Sequence, residues 1–156
     1  MQELLDRIAE MPRFLERAID AAGPGGISVR GEGEVFSIRE QACHLRDLER
    51  EGYLVRVRRI LEEEAPDLAG FDGAAVAAAR DYPAQDARAA ARDFAAARAE
   101  LVGIVSRATD AELARTATIF GKRITLRDLL AMIDEHDRGH REEIGTLVPM
   151  EASAWR

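Results

Sequence analysis

Only three histidines occur in the chain, and two of them, His136 and His140, stand four residues apart in a strongly helical segment. Residues i and i+4 share a helix face, with Cβ atoms about 5–6 Å apart, so two imidazoles at this spacing can close on one ion. His44 lies far upstream in another helical segment. An imidazole from a facing helix would complete a three-nitrogen site with an open coordination position, which is what metal catalysis needs. Three neutral imidazoles leave a divalent ion its full charge. Such an ion can draw the pKa of a bound water toward ~7 or take a substrate thiol as thiolate. Zn, Ni, Fe, Co and Cu all accept this donor set, so the metal stays open among them, with Zn, Ni or Fe as the working choices.

Helices must position these rings. The first helical region is expected from about Gln2 to Ala22, with Pro12 dividing it as the first residue of the main helix. Gly23-Pro24-Gly25-Gly26 then opens a loop to Phe36. Ser37 with Glu40 forms a capping box that starts a second helix, Ile38 to Ala65. Its stripe Ile38, Ala42, Leu45, Leu48, Gly52, Val55 has the period of a buried face, and His44 neighbours it. Pro66 stops that helix, Asp72 caps a short turn through Arg80, and Tyr82-Pro83 breaks it. A third helix is read from Gln85 to Ala108, with Asp110 capping a further turn. The segment Thr118 to Ile124 suggests a small hairpin around a Gly-Lys turn or an ordered loop. Thr125 with Asp128 caps the fourth helix, Leu126 to about Thr146, whose seam is Leu129, Ile133, His136, His140, Ile144, Leu147. The histidines thus replace apolar residues on a core-facing seam, where a four-helix bundle places its metal ligands. Trp155, in the Met150–Arg156 tail, is read as docking on the bundle or on a second subunit.

Length and composition bound the rest. The 156 residues make one domain, 1–156, with no internal repeat or linker. The chain has 22 basic and 29 acidic residues and a net charge of −7, which argues against a nucleic-acid surface. No apolar run reaches the 18 or so residues of a membrane span. The N-terminal MQELLDRIAEMPRFLER is too charged for a signal peptide. With a single cysteine, Cys43, no intramolecular disulfide forms, and a cytoplasmic location is expected. No Ser-His-Asp arrangement, Walker loop or dinucleotide fingerprint is readable.

Two stretches carry a family resemblance. Phe36-Ser-Ile-Arg-Glu-Gln-Ala-Cys-His44-Leu-Arg-Asp47-Leu-Glu49 resembles the second-helix signature of the DinB-like family. Thr125 to His140, with its Glu-His136-Asp137-Arg138-Gly-His140 core, resembles the fourth-helix signature. The resemblance covers about Pro12 to Leu147. It implies an all-α four-helix bundle with long inter-helix connections, commonly a homodimer. It also implies one metal-binding histidine from the second helix and two from the fourth, which map onto His44, His136 and His140.

Relatives include thiol-dependent transferases and isomerases and metal-dependent hydrolases. The expectation is therefore a metal-dependent transferase or hydrolase acting on a small molecule, with or without a low-molecular-weight thiol. The competing class is a non-catalytic metal-binding or stress-associated helical dimer. Asp47, at i+3 from His44, is the candidate catalytic residue. It would orient that ring, hold a water or serve as base, set against the plainer reading of an acid paired with arginine. Asp137 has a similar supporting position, and Arg138 and Arg141 are candidates to meet an anionic substrate, set against the plainer and favoured reading of solvated helix-face arginines. Two departures from the family pattern stand out. Phe36 replaces a frequent tryptophan, and Gly139 lies between the paired histidines, where it would admit a close neighbour or widen the pocket.

Overall fold

The computed structural model describes residues 1–33 and 35–148; Pro149, the Met150–Arg156 tail and the docking expected of Trp155 lie outside them. In chain order the elements are α1 (Gln2–Gly26), α2 (Ile38–Leu48), a π turn (Glu49–Tyr53), α3 (Leu54–Glu62), β1 (Asp67–Leu68) and α4 (Gly73–Arg80). A 3₁₀ turn (Tyr82–Ala84), α5 (Ala87–Val105), α6 (Asp110–Leu113), β2 (Thr116–Ile119), β3 (Lys122–Thr125) and α7 (Leu126–Leu147) follow. The bundle consists of α1, the rod from α2 through α3, α5 and α7, with α2 and α1 both packed on α5 and α1 packed on α7.

Local chemistry explains where these helices begin. Ser37 and Thr125 each accept from the backbone N–H three residues on, while Glu40 and Asp128 reach back to the cap backbone. Thr109 with Glu112, not Asp110, caps the extra turn. Asp72 caps α4 and Asp86 caps α5.

The expected division at Pro12 is absent. Helix α1 runs through it, and the only break is at Gly23, which turns with φ 60° and ψ −176°. Proline removes the N–H that would bond the carbonyl four residues back. That carbonyl, Ile8 O, receives Arg98 Nη1 instead, at 2.8 Å.

The second helix is likewise not one regular α-helix to Ala65. It passes through the π turn and ends at Glu62. A π turn inserts an extra residue, so the buried face changes phase beyond it. Leu54, Val57 and Ile60 face inward, and Val55, expected on the stripe, is 42% exposed.

The hairpin turns on Phe120 and Gly121, both at positive φ, rather than on Gly-Lys. Strand β1, which sequence reasoning missed, pairs in parallel with β2, so a three-stranded patch is added to the helical bundle.

The core lies in two apolar halves. One gathers Leu5, Ile8, Leu48, Val57, Leu101, Leu129 and Ile133. The other gathers Met11, Phe14, Ile38, Leu45, Phe94 and Ile144. Between them, on α7 from 136 to 140 and on α5 at 98, the interior is polar. This polar waist holds the candidate site.

Candidate metal centre

Helices α2 and α7 bring His44, His136 and His140 together, with one ring nitrogen of each within 4.8 Å of the others. The Nε2 atoms of His136 and His140 are 3.1 Å apart. Zinc–imidazole bonds of about 2.0–2.1 Å in tetrahedral geometry put donors roughly 3.3 Å apart, so this pair stands near ligand spacing. The ring centres of His44 lie 5.0 Å from His140 and 5.8 Å from His136. Burial and the neighbouring imidazoles push the histidine pKa values down, to about 4 for His44 and about 2 for His140. Burial and the Arg98 charge take His136 to about 4. All three rings are neutral at pH 7, the state in which imidazole ligates a metal.

Each ring is held differently. His140 Nδ1 meets Gln41 Oε1, while Gln41 Nε2 donates to Glu143 Oε2 at 2.7 Å. The Glu143 carboxylate thereby fixes which way the amide points. The amide oxygen in turn fixes the proton of His140 on Nδ1, leaving Nε2 as a bare lone pair facing the cluster. His44 is wedged by packing between Phe36 and Phe71, at ring-centre distances of 5.9 and 6.3 Å. The first residue of α4, Gly73, lies against it so closely that a Cβ there would stand 2.6 Å from His44 Cε1 and 3.0 Å from Nδ1. His136 packs edge-on against Tyr53 at 5.8 Å. The Nδ1 atoms of His44 and His136 are buried without a hydrogen-bond partner among the described residues. What fits an added ion is the donor set itself, three neutral imidazoles with one nitrogen of each within 4.8 Å of the others.

Asp47 does not orient His44. Its Oδ1 accepts from Arg46 at 2.7 Å, and its Oδ2 accepts from Tyr82 at 2.8 Å and lies 2.9 Å from Arg80 Nη1. Burial opposes its charge, but these donors together hold its carboxyl below the usual range. It anchors the end of α4 and the 3₁₀ turn over the site, so the plainer arginine-paired reading describes it.

Cys43 is buried, its thiol pushed up to about 11 by burial, as expected of an inert core cysteine. Gly139 admits no close neighbour: among the described residues nothing lies within 4 Å of where its Cβ would be. Arg138 and Arg141 line a separate cavity of about 570 Å³ between α1 and α7, shared with Arg7, Glu10 and Asp134. Arg138 pairs with Glu135, and Arg141 lies over Phe14.

Of the three histidines, His140 lines a cleft of about 330 Å³ together with Val35, Phe36 and Glu143. Sequence reasoning missed Glu143. Its signal was available, because i+3 from His140 keeps it on the same face of α7. It also missed Tyr53, Glu49 and Arg98, which reach the waist only through the π turn and an alanine-rich helix.

A bundle with one histidine on its second long helix and two on its last, all turned into a polar waist, defines the class. The chain belongs to the DinB superfamily, whose family model matches residues 2–144. None of the curated proteins matches it. Among solved structures it is similar to YfiT from Bacillus subtilis, with a TM-score of 0.86 and 20% identity. The match covers 94% of this chain and 84% of that one. YfiT is described as a probable metal-dependent hydrolase with an unusual four-helix bundle topology. At this identity the likeness establishes the shared fold. Among the described residues no helix is long and apolar enough to cross a membrane.

Proposed function

We propose that this protein is a divalent-metal-dependent enzyme of hydrolase type acting on a small molecule, with His44, His136 and His140 as the metal ligands. The observation that carries this reading is the convergence of three neutral imidazole nitrogens within 4.8 Å beside an open, carboxylate-lined cleft. A divalent ion held there supplies Lewis acidity that makes a water, or a substrate thiol, nucleophilic near neutral pH.

The chain's own residues do the rest. Gln41 keeps the His140 lone pair turned inward. Phe36 and Phe71 wall the site with apolar surface. Glu143 takes the part first considered for Asp47. Its contacts run through Oε2, so Oε1 is left to accept a proton from the nucleophile at the cleft. A carboxylate in that place favours hydrolysis over thiol transfer, which needs no base once the thiol is ionised. YfiT's description supports the same choice. The homodimer implied by the family resemblance is part of this proposal and is read by light scattering.

The test is elemental analysis of untagged protein beside His136→Ala. It is followed by a panel of small esters and amides, with and without a low-molecular-weight thiol. We expect about one metal per chain, lost in the variant, and thiol-independent turnover that falls in Glu143→Gln when it is compared with wild type at saturating metal. Wild-type protein that carries no ion and takes up no Zn, Ni or Fe overturns the proposal. Loaded protein in which Glu143→Gln turns over at the wild-type rate removes the assigned base.

A further inference from the structure

The deepest side chain in the waist is not a histidine. Arg98 is 1% exposed, and all five of its N–H donors are used. Nε and Nη2 bond Glu49 at 2.9 and 2.8 Å. Nη1 and Nη2 bond Asp137 at 2.6 and 3.2 Å. Nη1 also bonds Ile8 O, the carbonyl freed by Pro12, at 2.8 Å. Each long member of the bundle therefore supplies one part: Ile8 from α1, Glu49 from the π turn, Arg98 from α5 and Asp137 from α7.

This cluster adjoins the metal centre at one ring in particular. Asp137 is the residue after His136, and Glu49 opens the π turn whose last residue, Tyr53, packs on the His136 ring. His140 has Gln41 to orient it, and His44 is wedged by Gly73 and two phenylalanines. His136 Nδ1 has no hydrogen-bond partner among the described residues. The place of that ring is set by where α7 and Tyr53 stand, and Arg98 ties both. Buried ionic clusters are poor sources of stability, and apolar replacements of similar volume are often neutral or stabilising. Stability alone is thus a weak account of a fully satisfied guanidinium in this position.

We propose that the Glu49–Arg98–Asp137 cluster is the positioning device for His136, doing through α7 and Tyr53 what a hydrogen bond to the ring does elsewhere. This rests on the three-histidine metal reading. The test uses zinc affinity by chelator competition and the visible absorption of the cobalt(II)-loaded protein, each beside urea unfolding of the metal-free form. The variants are Arg98→Lys and the apolar triple Glu49→Leu/Arg98→Met/Asp137→Leu.

We expect zinc affinity to fall tenfold or more in both variants and the cobalt spectrum to change. In the triple variant this should happen without loss of unfolding stability. Variants that are destabilised yet bind zinc within twofold of wild type, with an unchanged cobalt spectrum, overturn the inference and leave the cluster a merely structural tie. If the triple variant does not fold, Arg98→Lys decides by the same two readouts. Wild-type protein that binds neither zinc nor cobalt refutes the metal reading and this inference with it. Wild type that binds while the variants bind equally well refutes the positioning role alone.

Discussion

Gly73→Ala gives a sharp test of how His44 is placed. The backbone at 73 is ordinary helix start, so a methyl group there meets no conformational penalty. In an exposed helix interior the change from glycine would stabilise by roughly 0.5–1 kcal/mol, less at a first position. The new Cβ, however, would lie 2.6 Å from His44 Cε1, whereas ordinary contact begins at 3.4 Å. Either the imidazole or α4 must yield by 3.4 − 2.6 = 0.8 Å. Retreat of α4 is opposed by Arg80, whose guanidinium is held by Glu51 and Asp47, and by Tyr82 bonded to Asp47. The ring therefore moves. Metal–ligand distances tolerate only about 0.2 Å, so the displacement is several times what a bond can absorb.

Loss of a supporting contact to a metal ligand typically costs 10–100-fold in affinity, and a direct displacement of the ligand belongs at the upper end. The assay is zinc titration against a chromogenic chelator, with urea unfolding of the metal-free variant as control. Zinc affinity should fall by at least tenfold, about 1.4 kcal/mol, while metal-free stability is unchanged or raised. Affinity within twofold of wild type would refute the argument that α4 presses His44 into place.

The same structure fixes three further outcomes. The folded-state pKa values of His44 and His136 are about 4 and that of His140 about 2, against about 6.5 unfolded. On acidification the unfolded chain takes up protons first, so metal-free stability is complete above pH ~6.5 and declines as pH falls toward 5. The carboxylates with lowered pKa, such as Asp47, titrate below that window; a urea midpoint at pH 5 equal to that at pH 7.5 would contradict this. Gly139→Ala, with nothing within 4 Å of the new methyl group, should stabilise α7 by roughly 0.5–1 kcal/mol and leave zinc affinity alone, as thermal unfolding and titration would record. Tyr82→Phe removes the 2.8 Å bond to Asp47 and should cost about 1–2 kcal/mol in urea. Asp47 keeps its two arginines, so zinc binding should hold; a large loss of metal would instead place Tyr82 among the determinants of the site.

What could be read from the sequence was what depends on near neighbours along the chain. The capping boxes at Ser37 and Thr125 and the four-residue spacing of His136 and His140 are local, and each appears as expected. His44 was placed on the right face because nothing interrupts α2 before Leu48. The interruption that follows was invisible. A π turn carries no distinctive residue pattern, and it turned Val55 outward while bringing Glu49 and Tyr53 inward. Arg98 sits among alanines in a stretch that reads as a solvated helix face, and its burial depends on partners from three other helices. Asp47 was the reverse case. Its spacing from His44 suggested a share in the site, yet Arg80 and Tyr82, distant in sequence, hold it. The i+3 spacing of Glu143 from His140 was a local signal that went unread. Its link to the ring through Gln41, a residue of another helix, is a tertiary contact that α7 alone does not show.

The polar waist also bears on which bundle the chain can form. Helix α5 is alanine-rich, with Phe94, Leu101 and Val105 as its large buried apolar side chains, and a slide along α1 by one turn, about 5.4 Å, would unseat them from the two halves of the core. After such a slide the Arg98 guanidinium would no longer meet Ile8 O, Glu49 and Asp137 at once, and a buried charge left uncompensated costs about 3–5 kcal/mol. The two apolar halves supply cohesion and resist the same slide through their packing. The single band between them accepts only one alignment, so the layer that holds the histidines is also the ruler against which the helices are set.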